Sequence, residues 1–216
     1  MTDLSRVSLQ SLTGEGLGDL PEFAIPPAEP LALAEAWIAR AIDRGIREPG
    51  AFVLATADAD AIPSSRFVLL KGFDERGLTF VSQTTSRKGH DIAANPHASA
   101  TFYWQEFRQQ LHIAGPVAPL DAAESDALWS ARPLASRAGA VTSHQSEPLI
   151  DDNVFRSDVA RIIAAGRPVD RPDRWTGYRI APTRIEFWQG DPARVHRRLE
   201  YTLTDTASWE WQRLQP

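Results

Sequence analysis

The chain has 216 residues, 43% of them hydrophobic and 24% charged, and its 23 basic against 28 acidic side chains give a net charge of −5 at pH 7. This composition is typical of a globular protein and excludes a disordered chain, while the acidic balance argues against a general nucleic-acid binder. The sequence contains no cysteine, which excludes disulfides, thiolate nucleophiles and cysteine-ligated zinc.

The first 30 residues predict a flexible arm, because they are rich in Gly, Pro, Ser and Leu, show no periodicity, and end in the extended, proline-rich run 25–30. Residues 1–18 lack the basic-then-apolar layout of a signal peptide. No apolar run approaches the roughly 20 residues of a membrane span. We therefore expect a cytoplasmic protein without membrane contact, in which a single domain, residues 31–216, follows the arm.

Beyond the arm, hydrophobic periodicity predicts helices at residues 31–45, 86–95, 121–130 and 154–165, with Ser86 as the cap of the second. Short apolar runs bounded by turn residues predict strands at 51–56, 66–70, 78–82, 99–104, 110–117, 178–180, 184–188, 198–203 and 209–214. The helices do not alternate regularly with the strands. The predicted fold class is therefore mainly β, an antiparallel barrel with peripheral helices, rather than a parallel α/β sheet.

The predicted strand within residues 64–71 carries a cation at each end. Because side chains alternate along a strand, Arg66, Val68 and Leu70 face one way and Phe67, Leu69 and Lys71 the other. The two cations need not share a ligand, and solvated strand ends are the alternative interpretation.

A second cationic cluster, Arg87 and Lys88, lies where a helix is predicted to begin. Backbone N–H groups, the helix dipole and two cations would converge there, as in a phosphate site. A polar tetrapeptide, residues 143–146, offers hydroxyl and amide groups suited to a phosphate or the edge of a heterocycle. An ordinary polar loop is its alternative interpretation.

The densest cluster is residues 194–198, which follows an aromatic strand at 186–190. If this segment is a strand, Arg194, His196 and Arg198 share one face and would line a pocket for an anionic planar ligand. A basic, solvated strand end is the alternative. The five histidines show no metal-ligand spacing and no hydrolase nucleophile motif occurs, so we expect neither a metal site nor serine hydrolysis.

In order and spacing, seven segments resemble the pyridoxamine 5′-phosphate oxidase family: residues 66–71, 86–88, 102–104, 130–133, 144–146, 186–190 and 194–198. The resemblance covers nearly all of the chain after Pro26. It implies an FMN-binding split β-barrel and a homodimer with the flavin at the subunit interface.

Carried over by position, the resemblance implies FMN contacts from Arg66, Phe67, Val68, Leu69, Leu70, Lys71, Val81, Ser82, Arg87, Lys88, Gln110, Gln145, Ser146, Trp188 and Arg198. It implies substrate contacts from Lys71, Leu128, Arg132, Ser136, Arg194 and His196. Leu128 departs from the family pattern, because vitamin B6 oxidases have a tyrosine there. The arm also lacks their Leu-Arg-x-x-Tyr segment, so the resemblance implies a changed specificity for phosphate esters.

The sequence is more similar to the phenazine-biosynthesis branch of the family, in the arm segments 11–14, 21–23 and 26–30 and in the ending 211–216. This branch implies an FMN-dependent oxidase that aromatises reduced phenazine carboxylates, with dioxygen as electron acceptor. Arg194 and His196 would then be catalytic, orienting a planar carboxylated substrate, with His196 a candidate proton acceptor. The alternatives are a pyridoxine/pyridoxamine 5′-phosphate oxidase and a flavin- or heme-binding protein without turnover.

Overall fold

The computed structural model describes residues 12–216, so residues 1–11 of the predicted arm lie outside the described part. The described chain forms five α-helices: α1 (Pro30–Asp43), α2 (Arg87–Ala94), α3 (Ala122–Ser130), α4 (Leu134–Thr142) and α5 (Asp152–Ala165). It forms ten strands: β1 (Ala51–Ala57), β2 (Pro63–Leu69), β3 (Gly72–Asp74), β4 (Gly77–Gln83), β5 (His97–Trp104), β6 (Gln109–Pro119), β7 (Trp175–Ile180), β8 (Arg184–Gln189), β9 (Arg197–Leu203) and β10 (Trp209–Leu214). None of these helices is long and apolar enough to cross a membrane.

The chain divides into two compact units that interleave in sequence. Unit 1 contains the described residues up to Gly50 together with Thr101–Ile113 and Arg184–Pro216. Unit 2 contains Ala51–Ala100 and Ala114–Thr183. Strands β5 and β6 therefore each contribute residues to both units.

In unit 1, α1 supplies a buried aromatic anchor to the antiparallel ladder β8–β9–β10. Trp37 is fully buried, its ring lies 5.0 Å from that of Phe187 in an edge-on arrangement, and its Nε1 donates to buried Glu22 at 2.7 Å. The Tyr201 hydroxyl donates to the carbonyl of Pro27. Residues 22 and 27 of the predicted arm therefore have defined contacts, and the mobility of the arm stays a prediction.

Unit 2 contains the β1–β2 hairpin, paired from Ala51 with Leu69 to Ala57 with Pro63, and an antiparallel group in which β4 pairs with β3 and β7. The end of β6 continues this group by pairing with β7. Phe80 on β4 is fully buried and stacks on Tyr178 of β7 at 5.4 Å. Helix α2 follows β4 directly, which fixes the position of its first turn.

The predicted strands are all present, and the mainly β composition is confirmed. Alternation on β2 is also confirmed, with Arg66 and Val68 half-buried and Phe67 and Leu69 exposed. Helix α4 was not predicted, because its sequence LASRAGAVT is dominated by small residues and lacks an apolar stripe. The short strand β3 was not predicted either, since three residues carry no readable alternation.

Candidate functional site

Unit 2 contains a cavity of about 820 Å³ that gathers most of the predicted ligand contacts. Its described lining includes five cations and no acidic residue. The whole chain has only two lysines, Lys71 and Lys88, and both line this cavity. In an acidic protein, this concentration of positive charge indicates an anion site. The predicted residues on its wall are Arg66, Phe67, Val68, Leu69, Lys71, Val81, Ser82, Arg87, Lys88, Arg132, Ser136, Gln145 and Ser146.

The first turn of α2 lines this cavity with Arg87 and Lys88. Ser86 caps the helix, as predicted, by accepting a hydrogen bond from the amide of Gly89. The Nζ atom of Lys88 donates to Ser86 Oγ at 3.2 Å and to Gln145 Oε1 at 3.1 Å. Because helix N-termini carry partial positive charge, cations here repel the dipole, and a bound anion would relieve that repulsion.

The half-buried Lys88 has a strongly perturbed ammonium group. Its pKa is lowered to about 8, mainly by burial and also by the nearby Arg66 guanidinium, while Asp91 opposes the change. Burial also lowers the pKa of Arg66, an effect that Asp91 opposes and Arg87 reinforces. A phosphate placed between these cations would therefore be attracted by charges that the fold itself only partly neutralises.

The loop after α4 is fixed to β4 by one buried side chain, Gln83. Its Nε2 donates to the carbonyls of Ala140 and Ser143, and its Oε1 accepts from the amide of Gln145. Ser146, held at a positive φ of 75°, accepts a hydrogen bond from the amide of Arg87. The predicted tetrapeptide 143–146 is thus brought to the first turn of α2.

Arg132, also on the wall of this cavity, lies over two tryptophan rings. Its guanidinium carbon is 5.9 Å from the Trp129 ring and 5.3 Å from the Trp175 ring, and its Nη2 donates to the carbonyl of Ser136. Burial lowers its pKa, and none of the described carboxylates forms an ion pair with it. Such a stacked, unneutralised guanidinium is suited to a carboxylate or phosphate ligand.

Two predicted contacts lie elsewhere in unit 2. Leu128 is half-buried and packs against the cluster of Trp129, Ala140 and Trp175 rather than on the cavity wall. Leu70 also does not line the cavity. Their ligand contacts stay predictions. Phe155 of α5 and Ser143 do line it but were not predicted, because neither residue type is distinctive in a helix or a polar loop.

In unit 1, the remaining predicted residues line two smaller cavities. Gln110, Trp188 and Arg198 line one of about 380 Å³ together with His112 and Glu186. Glu186 accepts two hydrogen bonds from Arg198, at 2.7 and 3.0 Å, and this contact raises the pKa of the guanidinium.

The second cavity of unit 1, about 310 Å³, is lined by Gln110, Trp188, Arg194 and His196. The His196 ring lies 4.9 Å from that of Trp188, and its Nδ1 accepts a hydrogen bond from the amide of Asp191, so the neutral ring carries its proton on Nε2. Strand β9 begins only at Arg197, and Arg194 has a φ of 68°. The expectation that Arg194 and His196 share a strand face with Arg198 is therefore wrong, since the turn sets their directions.

Comparison with known proteins gives the family directly. The family model for pyridoxamine 5′-phosphate oxidase matches residues 38–165, and the model for the pyridoxine 5′-phosphate oxidase C-terminal dimerisation region matches residues 175–216. The chain belongs to the pyridoxamine 5′-phosphate oxidase family. It is therefore an enzyme of an oxidase family, as the sequence predicted.

Individual relatives of the family carry two kinds of name. Dihydrophenazinedicarboxylate synthase of Burkholderia lata is 40% identical over 96% of this chain and 97% of its own length. A pyridoxine/pyridoxamine 5′-phosphate oxidase of Paraburkholderia phymatum is 44% identical over 93% of this chain and 94% of its own.

Solved structures confirm the predicted split-barrel fold class. The crystal structure of PhzG from Burkholderia lata 383 in complex with tetrahydrophenazine-1-carboxylic acid superposes with a TM-score of 0.90 at 39% identity, covering 94% of this chain and 100% of that one. An FMN-binding, pyridoxamine 5′-phosphate oxidase-related protein of Nostoc punctiforme shares the fold at 19% identity and a TM-score of 0.71.

Proposed function

We propose that the chain is an FMN-dependent oxidase of phenazine biosynthesis that aromatises reduced phenazine carboxylates with dioxygen as electron acceptor. The observation that carries the proposal is the likeness to the Burkholderia lata structure, which spans essentially both chains and whose bound molecule is a tetrahydrophenazine carboxylic acid. The stacked, unneutralised Arg132 on the cavity wall supports a carboxylated substrate.

The residues of the unit 2 cavity fit an FMN phosphate. Lys88, Arg87 and Arg66 would neutralise its charge, and the first turn of α2 would add backbone N–H groups and the helix dipole. The volume of about 820 Å³ lies within the range of small-molecule sites, roughly 300–1,000 Å³. When bound, FMN supplies the redox chemistry, taking a hydride equivalent from the substrate and passing electrons to dioxygen.

The protein's own contribution would be positioning rather than strong acid–base catalysis, because aromatisation of the substrate is itself favourable. We assign Lys71 and Arg132 to the substrate carboxylate, and Arg194 and His196 to substrate orientation. Since the backbone amide of Asp191 donates to Nδ1 of His196, the neutral ring presents an Nε2–H donor to the substrate, which suits orientation of the substrate by a hydrogen bond.

We further propose a homodimer with the flavin at the subunit interface. The match of residues 175–216 to the family's dimerisation region supports this assembly. Light scattering on flavin-loaded protein is the test, because a monomer that retains its full flavin content would rule out an interface site.

A second candidate is oxidation of pyridoxine or pyridoxamine 5′-phosphate. It is favoured by relatives of that name, which are as similar to this chain as the phenazine enzyme is. Lys71, Arg132 and Ser136 are all present for a substrate phosphate, whereas Leu128 brings no hydroxyl.

Anaerobic flavin reduction distinguishes the two functions. Freshly generated reduced phenazine carboxylate and pyridoxine 5′-phosphate would be mixed separately with the loaded enzyme, and flavin absorbance followed. We expect rapid bleaching by the phenazine and slow or no bleaching by the phosphate ester. The reverse result would identify a vitamin B6 enzyme, and bleaching by neither would favour a flavin-binding protein without turnover. A Leu128→Tyr variant should gain activity on the phosphate ester.

A further inference from the structure

A buried carboxylate lies behind the cationic wall of the unit 2 cavity. Asp91 belongs to α2, is 4% exposed, and does not itself line the cavity. A buried carboxylate is costly unless its oxygens are hydrogen-bonded and its charge is opposed, so its partners show what it does.

Two hydroxyl groups connect Asp91 to the guanidinium of Arg66. Thr56 Oγ1 and Ser64 Oγ donate to the same oxygen of Asp91, Oδ2, at 2.6 and 2.7 Å. The same two hydroxyl oxygens accept from Arg66, Thr56 from Nη1 at 2.8 Å and Ser64 from Nη2 at 2.6 Å. Arg66 Nη2 itself lies 3.8 Å from Asp91 Oδ2.

In this arrangement the Asp91 carboxylate orients the O–H bonds of Thr56 and Ser64. A hydroxyl has one proton to donate, and each of these gives it to Asp91, so only lone pairs are left to face Arg66. Without the carboxylate, the two hydroxyl protons lose their acceptor, and the lone pairs are no longer held toward the guanidinium. The guanidinium is thus fixed from behind, while Nε and the second N–H of Nη2 have no acceptor among the described residues.

The charges in this cluster are consistent with such a role. Arg66 is on β2, and Arg87, Lys88 and Asp91 are on α2, so one anion opposes three cations. Burial would raise the pKa of Asp91, but the hydrogen bonds from Thr56 and Ser64 and the neighbouring Arg66 hold it below its usual value. Asp91 therefore stays ionised while the cluster keeps a net positive charge.

We propose that Asp91, acting through Thr56 and Ser64, is a positioning residue that holds the Arg66 guanidinium in place for the phosphate of the flavin. The inference rests on the proposed function, since it takes FMN as the ligand of this cavity. It adds three residues to the site, of which Ser64 lines the cavity while Thr56 and Asp91 lie off its wall.

The test compares FMN with riboflavin, which lacks the phosphate, by titrating flavin fluorescence with the flavin-free full-length protein. Asp91→Asn keeps the shape of the side chain and removes its charge, and Asp152→Asn, an exposed aspartate on α5, is the matched control. We expect Asp91→Asn to weaken FMN binding about 10-fold, the effect of losing charge-assisted hydrogen bonds, and to leave riboflavin binding unchanged. Asp152→Asn should change neither.

A second pair of variants keeps the test decisive if Asp91→Asn does not fold. Thr56→Val removes one of the two bridging hydroxyls at a residue that does not line the cavity, and should weaken FMN binding selectively, whereas Thr56→Ser retains the hydroxyl and should restore it. If the bridging hydroxyl only stabilised the fold, the two variants would not differ in their preference for FMN over riboflavin.

The pH dependence gives an independent readout. Because Asp91 raises the pKa of Lys88, removing its charge should shift the alkaline loss of FMN affinity to lower pH than in the wild type. Equal losses for FMN and riboflavin, or no loss for either, would overturn the positioning role. A wild-type protein that binds neither flavin would overturn the proposed function and the inference with it.

Discussion

Replacing Lys88 with methionine should stabilise the flavin-free protein and lower its affinity for FMN. Lys88 is the second residue of α2, where its charge opposes the helix dipole, and it lies beside Arg66. Burial and that neighbour lower its pKa from 10.5 to about 8. The folded state therefore disfavours the charged form, and Met removes the charge while retaining most of the apolar length of the side chain.

The magnitude follows from the shift in the Lys88 pKa. A change from 10.5 to about 8 is about 2.5 pH units, or roughly 3.5 kcal/mol at about 1.4 kcal/mol per unit for a fully buried group. Lys88 is only half-buried and also donates to Ser86 and Gln145, so screening and these hydrogen bonds reduce the net gain to about 1 kcal/mol. In a chain of this size that corresponds to a melting temperature about 2–4 °C higher.

Because the pKa of Lys88 is lowered in the folded protein, the stability difference between wild type and Lys88→Met should depend on pH. The unfolded chain holds the Lys88 proton more tightly than the folded one, so the destabilisation is complete below pH 8 and disappears between about pH 8 and 10.5. Calorimetry on flavin-free Lys88→Met should show the higher melting temperature at pH 7 and no difference near pH 10.5. Lys71→Met, which changes the other, exposed lysine, should match the wild type throughout.

The same variants would be titrated with FMN and riboflavin, and Lys88→Met should bind FMN about 10-fold more weakly with riboflavin unaffected. A lower melting temperature at pH 7, or a difference that persists at pH 10.5, would refute the electrostatic argument. Unchanged FMN affinity would remove Lys88 from the phosphate site.

Three further predictions concern other residues of the two units. Arg132→Gln should raise KM for a reduced phenazine carboxylate about 10-fold or more, the loss of a charged hydrogen bond, in steady-state assays, while FMN titrations stay unchanged. Arg194→Ala should impair substrate oxidation with FMN still bound, and unchanged turnover would contradict its assigned role. Gly89→Ala should lower the melting temperature, because its Cβ would lie 2.3 Å from the carbonyl oxygen of Thr84 and relieving the clash costs about 1–3 kcal/mol, whereas Gly139→Ala meets no atom within 4 Å and should be tolerated.

Much of the fold was readable from the sequence, because strands with clear alternation and helices with explicit boundary signals are local features. Ser86 does cap α2, and Gly45 and Gly166, at φ 66° and 60°, follow α1 and α5 close to the predicted ends of these helices. The sequence does not predict helix α4, because its small residues pack closely without forming a hydrophobic stripe.

The candidate site was only partly predictable. The phosphate-site argument at Arg87 and Lys88 needed only a helix start, which the sequence supplies. The Thr56–Ser64–Asp91 arrangement spans 35 residues and depends on β1, β2 and α2 meeting in space, which no local pattern encodes. The rarity of lysine was a usable signal, since both lysines of the chain line one cavity.

The interleaving of the two units has a consequence for how the chain acquires its structure during synthesis. All residues of unit 2 have been made once residue 183 is synthesised. Unit 1 also needs Arg184–Pro216, the last 33 residues, which pack against helix α1 from the N-terminal part of the sequence. Until β8 emerges, Trp37 has no Phe187 to pack against, and an apolar helix face is left exposed. Truncations within β8–β10 should therefore leave the apolar face of α1 without its partner strands, and the truncated chain should aggregate more readily than the full one.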